Sequence, residues 1–111
     1  MYEYKATLVR VVDGDTVVLD IDLGFGVWKH GERCRLAGID APEIPTSEGY
    51  TAADALAHKL TVSGLVAFTK KDSQDKYGRY LVTIFVGGEN VNEWMVNNHY
   101  AVPYDGKGPR K

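Results

Sequence analysis

Hydrophobic and polar positions change period along this chain, and each change marks an element. The stretch "YKATLVRVV" (4–12) is rich in β-formers, with Val9, Val11 and Val12 branched at Cβ. "TVVLDIDL" (16–23) alternates, placing Val17, Leu19, Ile21 and Leu23 on one face and Thr16, Asp20 and Asp22 on the other. That pattern predicts a half-buried strand. Asp13-Gly14 between the two runs is a dipeptide that tight hairpins favour, because glycine accepts positive φ. The glycine-rich "GFGVWKHGE" (24–32) suits an extended hairpin arm. "RCRLAGI" (33–39) predicts a third strand, with Cys34 and Leu36 facing one way and Arg33 and Arg35 the other.

From Ser47 the period becomes helical. "SEGYTAADALAHKL" (47–60) gathers Ala53, Leu56, Ala57 and Leu60 on one helix face. "LVAFTKK" (65–71) and "RYLVTIFV" (79–86) predict two further strands, separated by the polar "DSQDKYG". Asn90, with Glu93 three residues on, resembles a capping arrangement for a last helix, "VNEWMVNNHY" (91–100), packed through Val91, Trp94 and Met95. The order is three strands, a helix, two strands and a helix. It predicts a mainly β fold with helices (α+β), a five-stranded, partly open Greek-key barrel of the OB type. An SH3-like barrel would leave the helical segment 47–60 without a place. The expected organisation is one domain over residues 1–111, with its core at about 4–102 and a loose polar tail over 103–111.

Composition narrows the chemistry. Hydrophobic residues at 44% and charged ones at 25% are those of a globular chain. The lone Cys34 excludes a disulfide framework or a cysteine zinc site within one chain. His30, His58 and His99 are scattered, with no metal-ligand spacing. The segment "MYEYKATLVR" lacks the regions of a signal peptide, and no run approaches membrane-spanning length. The expectation is no membrane partner and, as written, a cytoplasmic chain unless an export signal was trimmed. The formal net charge of −2 argues against a general nucleic-acid binder.

Charges that stability does not require sit in four places: Asp13 and Asp15 in "DGDT", Arg35 in the third strand, Asp40 and Glu43 at its end, and Lys76, Tyr77 and Arg79 in "DKYGR". Each has a plain alternative. "DGDT" alone is a hairpin turn, Arg35 and Arg79 are solvated faces or ion-pair partners, and "DKYGR" is a surface turn. Together they are the parts for metal-assisted phosphodiester hydrolysis. Carboxylates hold a hard divalent cation through oxygen, and the cation polarises a phosphoryl oxygen. Guanidinium forks match phosphate oxygens, and a spare carboxylate activates water.

"VVDGDTV" (11–17), "RLAGIDAPE" (35–43) and "DKYGR" (75–79), in that order, closely resemble the staphylococcal nuclease (thermonuclease) family, and "VNE" (91–93) adds a fourth match. The resemblance runs from about Leu8 to Ala101. It implies an OB-type barrel and cleavage of DNA and RNA, dependent on one Ca²⁺ ion, to 3′-phosphorylated products, with single-stranded substrate preferred. Carried across by position, it implies Asp15 and Asp40 as side-chain metal ligands with the Ala41 backbone carbonyl. Asp13 stands beside them as an outer acid. Glu43 is implied to position or activate water. Arg35 and Arg79 are the implied phosphate-binding pair, Arg79 assisting the leaving group. Lys76 and Tyr77 are implied contacts to nucleotide phosphates, and Tyr100 and Tyr104 are candidates to stack on a base.

Arg35 and Asp40 lie five residues apart. Fully extended, they would be separated by roughly 16 Å, so a bend near Gly38 is expected. The sequence departs from the family in three respects: Ala41 replaces threonine, the 16–34 hairpin is longer, and the segment between Glu43 and the first helix is shorter. With the low net charge, these predict weaker and more salt-sensitive substrate binding. Clustered Lys70, Lys71, Lys76 and Arg79 with a bound ion would still make a positive cleft. Phe25 and Trp28 are expected at the hairpin tip, open to substrate or a partner subunit; Cys34, Trp94 and Met95 are expected to pack inside. Two rival functions remain at this stage: a nuclease-like module that binds single-stranded nucleic acid without turnover, and an OB barrel that binds protein or sugar.

Overall fold

The computed structural model describes residues 2–61, 64–69 and 78–104. The first half of the chain contributes β1 (Tyr2–Asp13), β2 (Thr16–Gly24), β3 (Val27–Leu36), the short β4 (Ile39–Asp40) and α1 (Ser47–Leu60). The second half contributes β5 (Leu65–Thr69), β6 (Tyr80–Val86), β7 (Glu89–Asn90), α2 (Val91–Asn97) and β8 (Val102–Pro103). β1, β2 and β3 form an antiparallel meander, β5 pairs along the other edge of β1, and β6 pairs with β5. A parallel ladder from Cys34↔Tyr80 to Leu36↔Val82 then joins β6 to β3 and closes a five-stranded barrel. With α1 between its third and fourth strands and α2 after its fifth, this is the expected OB topology.

Strand alternation fills the barrel. Val17 and Leu19 of β2, Cys34 and Leu36 of β3, and Val82 and Ile84 of β6 are all buried in one cluster. Leu56 and Leu60 of α1, with Val91 and Met95 of α2, seal the same cluster. Each fully buried leucine contributes about 1.5–3 kcal/mol relative to solvent exposure. No helix among the described residues is long and apolar enough to cross a membrane.

Several expectations are corrected in detail. Leu23 is 45% exposed, because a register shift between Asp22 and Gly24 breaks the alternation that would have turned it inward. The third strand begins at Val27, so the arm is a regular hairpin whose two-residue turn is Phe25-Gly26, both at positive φ (55° and 75°). The β1–β2 turn is Gly14-Asp15, and Gly14 is not at positive φ. Its glycine is required by crowding: a Cβ there would lie 2.7 Å from the Cβ atoms of both Ala41 and Ala52.

The buried line of α1 is accordingly Gly49, Ala52, Leu56 and Leu60, displaced from the expected Ala53 and Ala57. Small Ala52 lets the helix approach the turn. Thr46 caps α1 by accepting from the Gly49 N–H. Asn90 caps α2 as expected, accepting from the Glu93 N–H. α2 stops at Asn97, short of the expected end, where His99 at φ 63° reverses the chain and the Tyr100 and Ala101 N–H groups both donate to the Met95 carbonyl. The segment expected to be loose from Pro103 is held at its start: β8 pairs with β4, and the Tyr104 N–H donates to the Gly38 carbonyl.

Candidate active site

The barrel end formed by the β1–β2 turn and the β3–β4 bend brings Asp15, Arg35 and Asp40 together. Asp15 is 1% exposed, and Arg35 and Asp40 are each 4% exposed. The Asp15 carbonyl accepts from the Leu36 N–H at 2.8 Å, which ties the turn to the end of β3. Its carboxylate is oriented from two sides, Oδ1 by the Thr16 hydroxyl at 3.0 Å and Oδ2 by the Ala41 N–H at 2.9 Å.

Arg35 Nη1 donates to the Leu36 carbonyl at 2.9 Å. Its Nη2 lies 3.7 Å from Asp15 Oδ2 and 3.8 Å from Asp40 Oδ1. The chain turns as expected to allow this: β3 ends at Leu36, Gly38 sits at φ 78°, and β4 begins at Ile39. Tyr104 covers the guanidinium, with its ring centroid 5.7 Å from Cζ.

Asn92 was not singled out by sequence and holds this bend in place. It is 4% exposed, donates to the carbonyls of Ala37 and Val82, and accepts from the Ile84 N–H. It thereby pins the residue before Gly38 to β6. The "VNE" match was its signal. Gly49 is a second such position, since a Cβ there would lie 2.2 Å from the Glu43 carbonyl oxygen.

The other expected residues are placed as follows. Asp13 is half-buried and accepts from the Asp15 N–H at 3.0 Å. Its carboxyl is pushed up to about 6, first by burial and then by the hydrogen bond and charge of Asp15. Glu43 is exposed, and its carbonyl accepts from the Thr46 N–H and hydroxyl at the start of α1. Arg79 is half-buried immediately before β6. Lys76 and Tyr77, with Lys70 and Lys71, lie outside the described residues. Of the two tyrosines, Tyr104 reaches Arg35. Tyr100 does not: its ring lies 5.6 Å from that of Trp94, lining a cleft with Ala55, His58 and Lys59. The reversal at His99 turns it toward the helices.

Among the described residues, no three histidine, cysteine or carboxylate side chains converge as a complete cage for a metal. The donor set nonetheless fits a hard divalent ion. Two carboxylates within 4 Å of one guanidinium nitrogen face a common point, and all-oxygen ligation completed by carbonyl and water suits Ca²⁺ or Mg²⁺.

A closed OB barrel with acids and a guanidinium at one rim defines the class, and comparison with known proteins defines the family. The family model described as staphylococcal nuclease homologue matches residues 33–111. The chain is 36% identical to Protein ParB of Escherichia coli over 92% of its length and 58% of that protein's. It is 32% identical to a thermonuclease of Staphylococcus hyicus (89% of this chain, 59% of that one) and 33% identical to a micrococcal nuclease of Shigella flexneri (92% and 59%). The chain belongs to the staphylococcal nuclease family. It spans less than two thirds of the length of these relatives.

Proposed function

We propose that this chain is a nuclease that hydrolyses phosphodiester bonds of DNA and RNA, dependent on one divalent cation, Ca²⁺, and leaving 3′-phosphorylated products. The observation that carries the proposal is the placement of Arg35 Nη2 within 4 Å of both Asp15 and Asp40. Asp15, Asp40 and the Ala41 carbonyl would hold the ion. When bound, it supplies Lewis acidity toward a phosphoryl oxygen.

The protein groups do the rest. Arg35 binds the scissile phosphate, its planar fork kept in register by the Leu36 carbonyl and the Tyr104 ring. Glu43, exposed three residues after Asp40, positions the attacking water and takes its proton. Arg79 stabilises negative charge on the phosphate and the departing oxygen. Asp13 is an outer acid near the ion, and its carboxylate steadies the turn by accepting from the Asp15 N–H. Lys76 and Tyr77 contact the nucleotide phosphates, and Tyr104 stacks on a base.

The test incubates plasmid and single-stranded DNA with the protein in Ca²⁺, Mg²⁺ or EGTA. Cleavage in Ca²⁺, its loss in EGTA, and faster loss of the single strand than of the plasmid are expected. Cleavage that persists in EGTA overturns the metal reading, and binding without cleavage in any ion overturns the nuclease reading.

A further inference from the structure

The β2–β3 hairpin carries a row of side chains that the proposed chemistry does not use. Residues opposite one another across an antiparallel ladder share a face. Val17↔Cys34 faces the core. On the opposite face lie Thr16↔Arg35, Val18↔Arg33 and, past a bulge between Glu32 and Lys29, Asp22↔Trp28. Of these, Thr16, Val18 and Arg35 are buried, and Arg33 and Trp28 are exposed. β1 adds Arg10 to this outer face, opposite Val18, so Arg10 and Arg33 flank the same valine. Towards the hairpin tip, the Trp28 and His30 rings stack at 6.2 Å and 10°. Trp28 is 42% exposed and the His30 side chain 72%.

The acids on this face are turned to local work. Asp20 accepts from the Gly31 N–H and pairs with His30, and Asp22 accepts from the Gly24 N–H. The face therefore runs from buried Arg35, through exposed Arg33 and Arg10, to two stacked rings. The strand from Arg35 to Trp28 is roughly 23 Å long.

We infer that this outer face of β2 and β3 is a binding track for single-stranded nucleic acid, leading away from the scissile phosphate at Arg35. The inference deepens the nuclease reading and rests on it. Cations followed by open aromatic rings are what a splayed strand recognises, with phosphates on Arg33 and Arg10 and bases on Trp28 and His30. The corresponding face of OB barrels suits oligonucleotides in shape. A duplex keeps its bases stacked on one another and offers the rings nothing.

The test measures fluorescence anisotropy of labelled single strands of about 4 and about 16 nucleotides, in EGTA so that nothing is cut. Trp28→Ala and Arg33→Glu each weaken binding of the longer strand by about tenfold and abolish the parent's preference for it over the shorter one. Tyr2→Ser, an exposed aromatic on β1 paired with β5 rather than β2, serves as a control that binds both as the parent does. Melting curves confirm that these exposed replacements fold. Parent-like affinity of both variants for the longer strand overturns the track, as does equal affinity of the parent for a duplex of the same length. If Ca²⁺-dependent cleavage is intact while the variants bind as the parent does, the track falls and the nuclease stands. If the parent never cleaves while both variants lose affinity, the track stands and the nuclease falls.

Discussion

Arg35 Nη2 stands 3.8 Å from Oδ1 of Asp40, a residue five positions further along the chain. An extended chain would hold the two roughly 16 Å apart, and the turn at Ala37-Gly38, with Gly38 at φ 78°, closes that distance. Gly38→Ala would meet no steric contact, so its whole effect is backbone strain, on the order of 1 kcal/mol or more. We expect a correspondingly lower urea midpoint and a reduced kcat, read by denaturation and by turnover on single-stranded DNA. A variant with parent stability and parent turnover would show that the bend is not set by this residue.

Glu43→Gln and Arg79→Gly change groups proposed to act in the transition state while leaving the core untouched. Each should lower kcat by about 10²–10³-fold, the scale of one lost transition-state donor. Circular dichroism should be unchanged. Parent rates in either variant would remove that residue from its role.

Asn92→Ala tests the tie behind the bend. It leaves the Ile84 N–H and the Ala37 carbonyl without their side-chain partner, while the Val82 carbonyl keeps the Ala37 N–H. Unmet buried groups of this kind cost about 1–3 kcal/mol each, so a loss of at least about 2 kcal/mol is expected by urea unfolding. A loss comparable to an exposed substitution would show that the bend is held from elsewhere.

Asp13 gives the protein a dependence on pH. Its carboxyl rises from 3.8 to about 6, chiefly through burial and the neighbouring Asp15. The folded chain thus holds this proton more tightly than the unfolded chain does. Its contribution to stability is complete below about pH 4 and is lost as pH rises through about 6. In EGTA, Asp13→Asn should gain melting temperature relative to the parent across that window. Parallel melting profiles would contradict the sign.

The strands and both helices were legible because apolar spacing reports which face each element buries. The alternation that begins at Val17 failed at Leu23, where a bulge invisible to period counting reverses the face. The helix face was displaced because Ala52, Ala53, Ala55 and Ala57 are interchangeable by hydrophobicity, and only the proximity of Gly14 selects Ala52. Asp15, Arg35 and Asp40 were legible as motif residues and are gathered as a group. The separation of Tyr100 from Tyr104 was not, since it follows from a left-handed His99 that no local pattern marks. Asn92 was hidden for a related reason: a buried amide bridging distant strands leaves no periodic trace.

The barrel is completed by three residue pairs between β3 and β6, and the middle one, Arg35↔Leu81, carries the phosphate-binding arginine proposed above. The ladder that closes the barrel and its proposed chemical centre are therefore one piece of backbone. A chain that unzips there would lose its architecture and its reactivity in a single event, so amide exchange along this join should report on both at once.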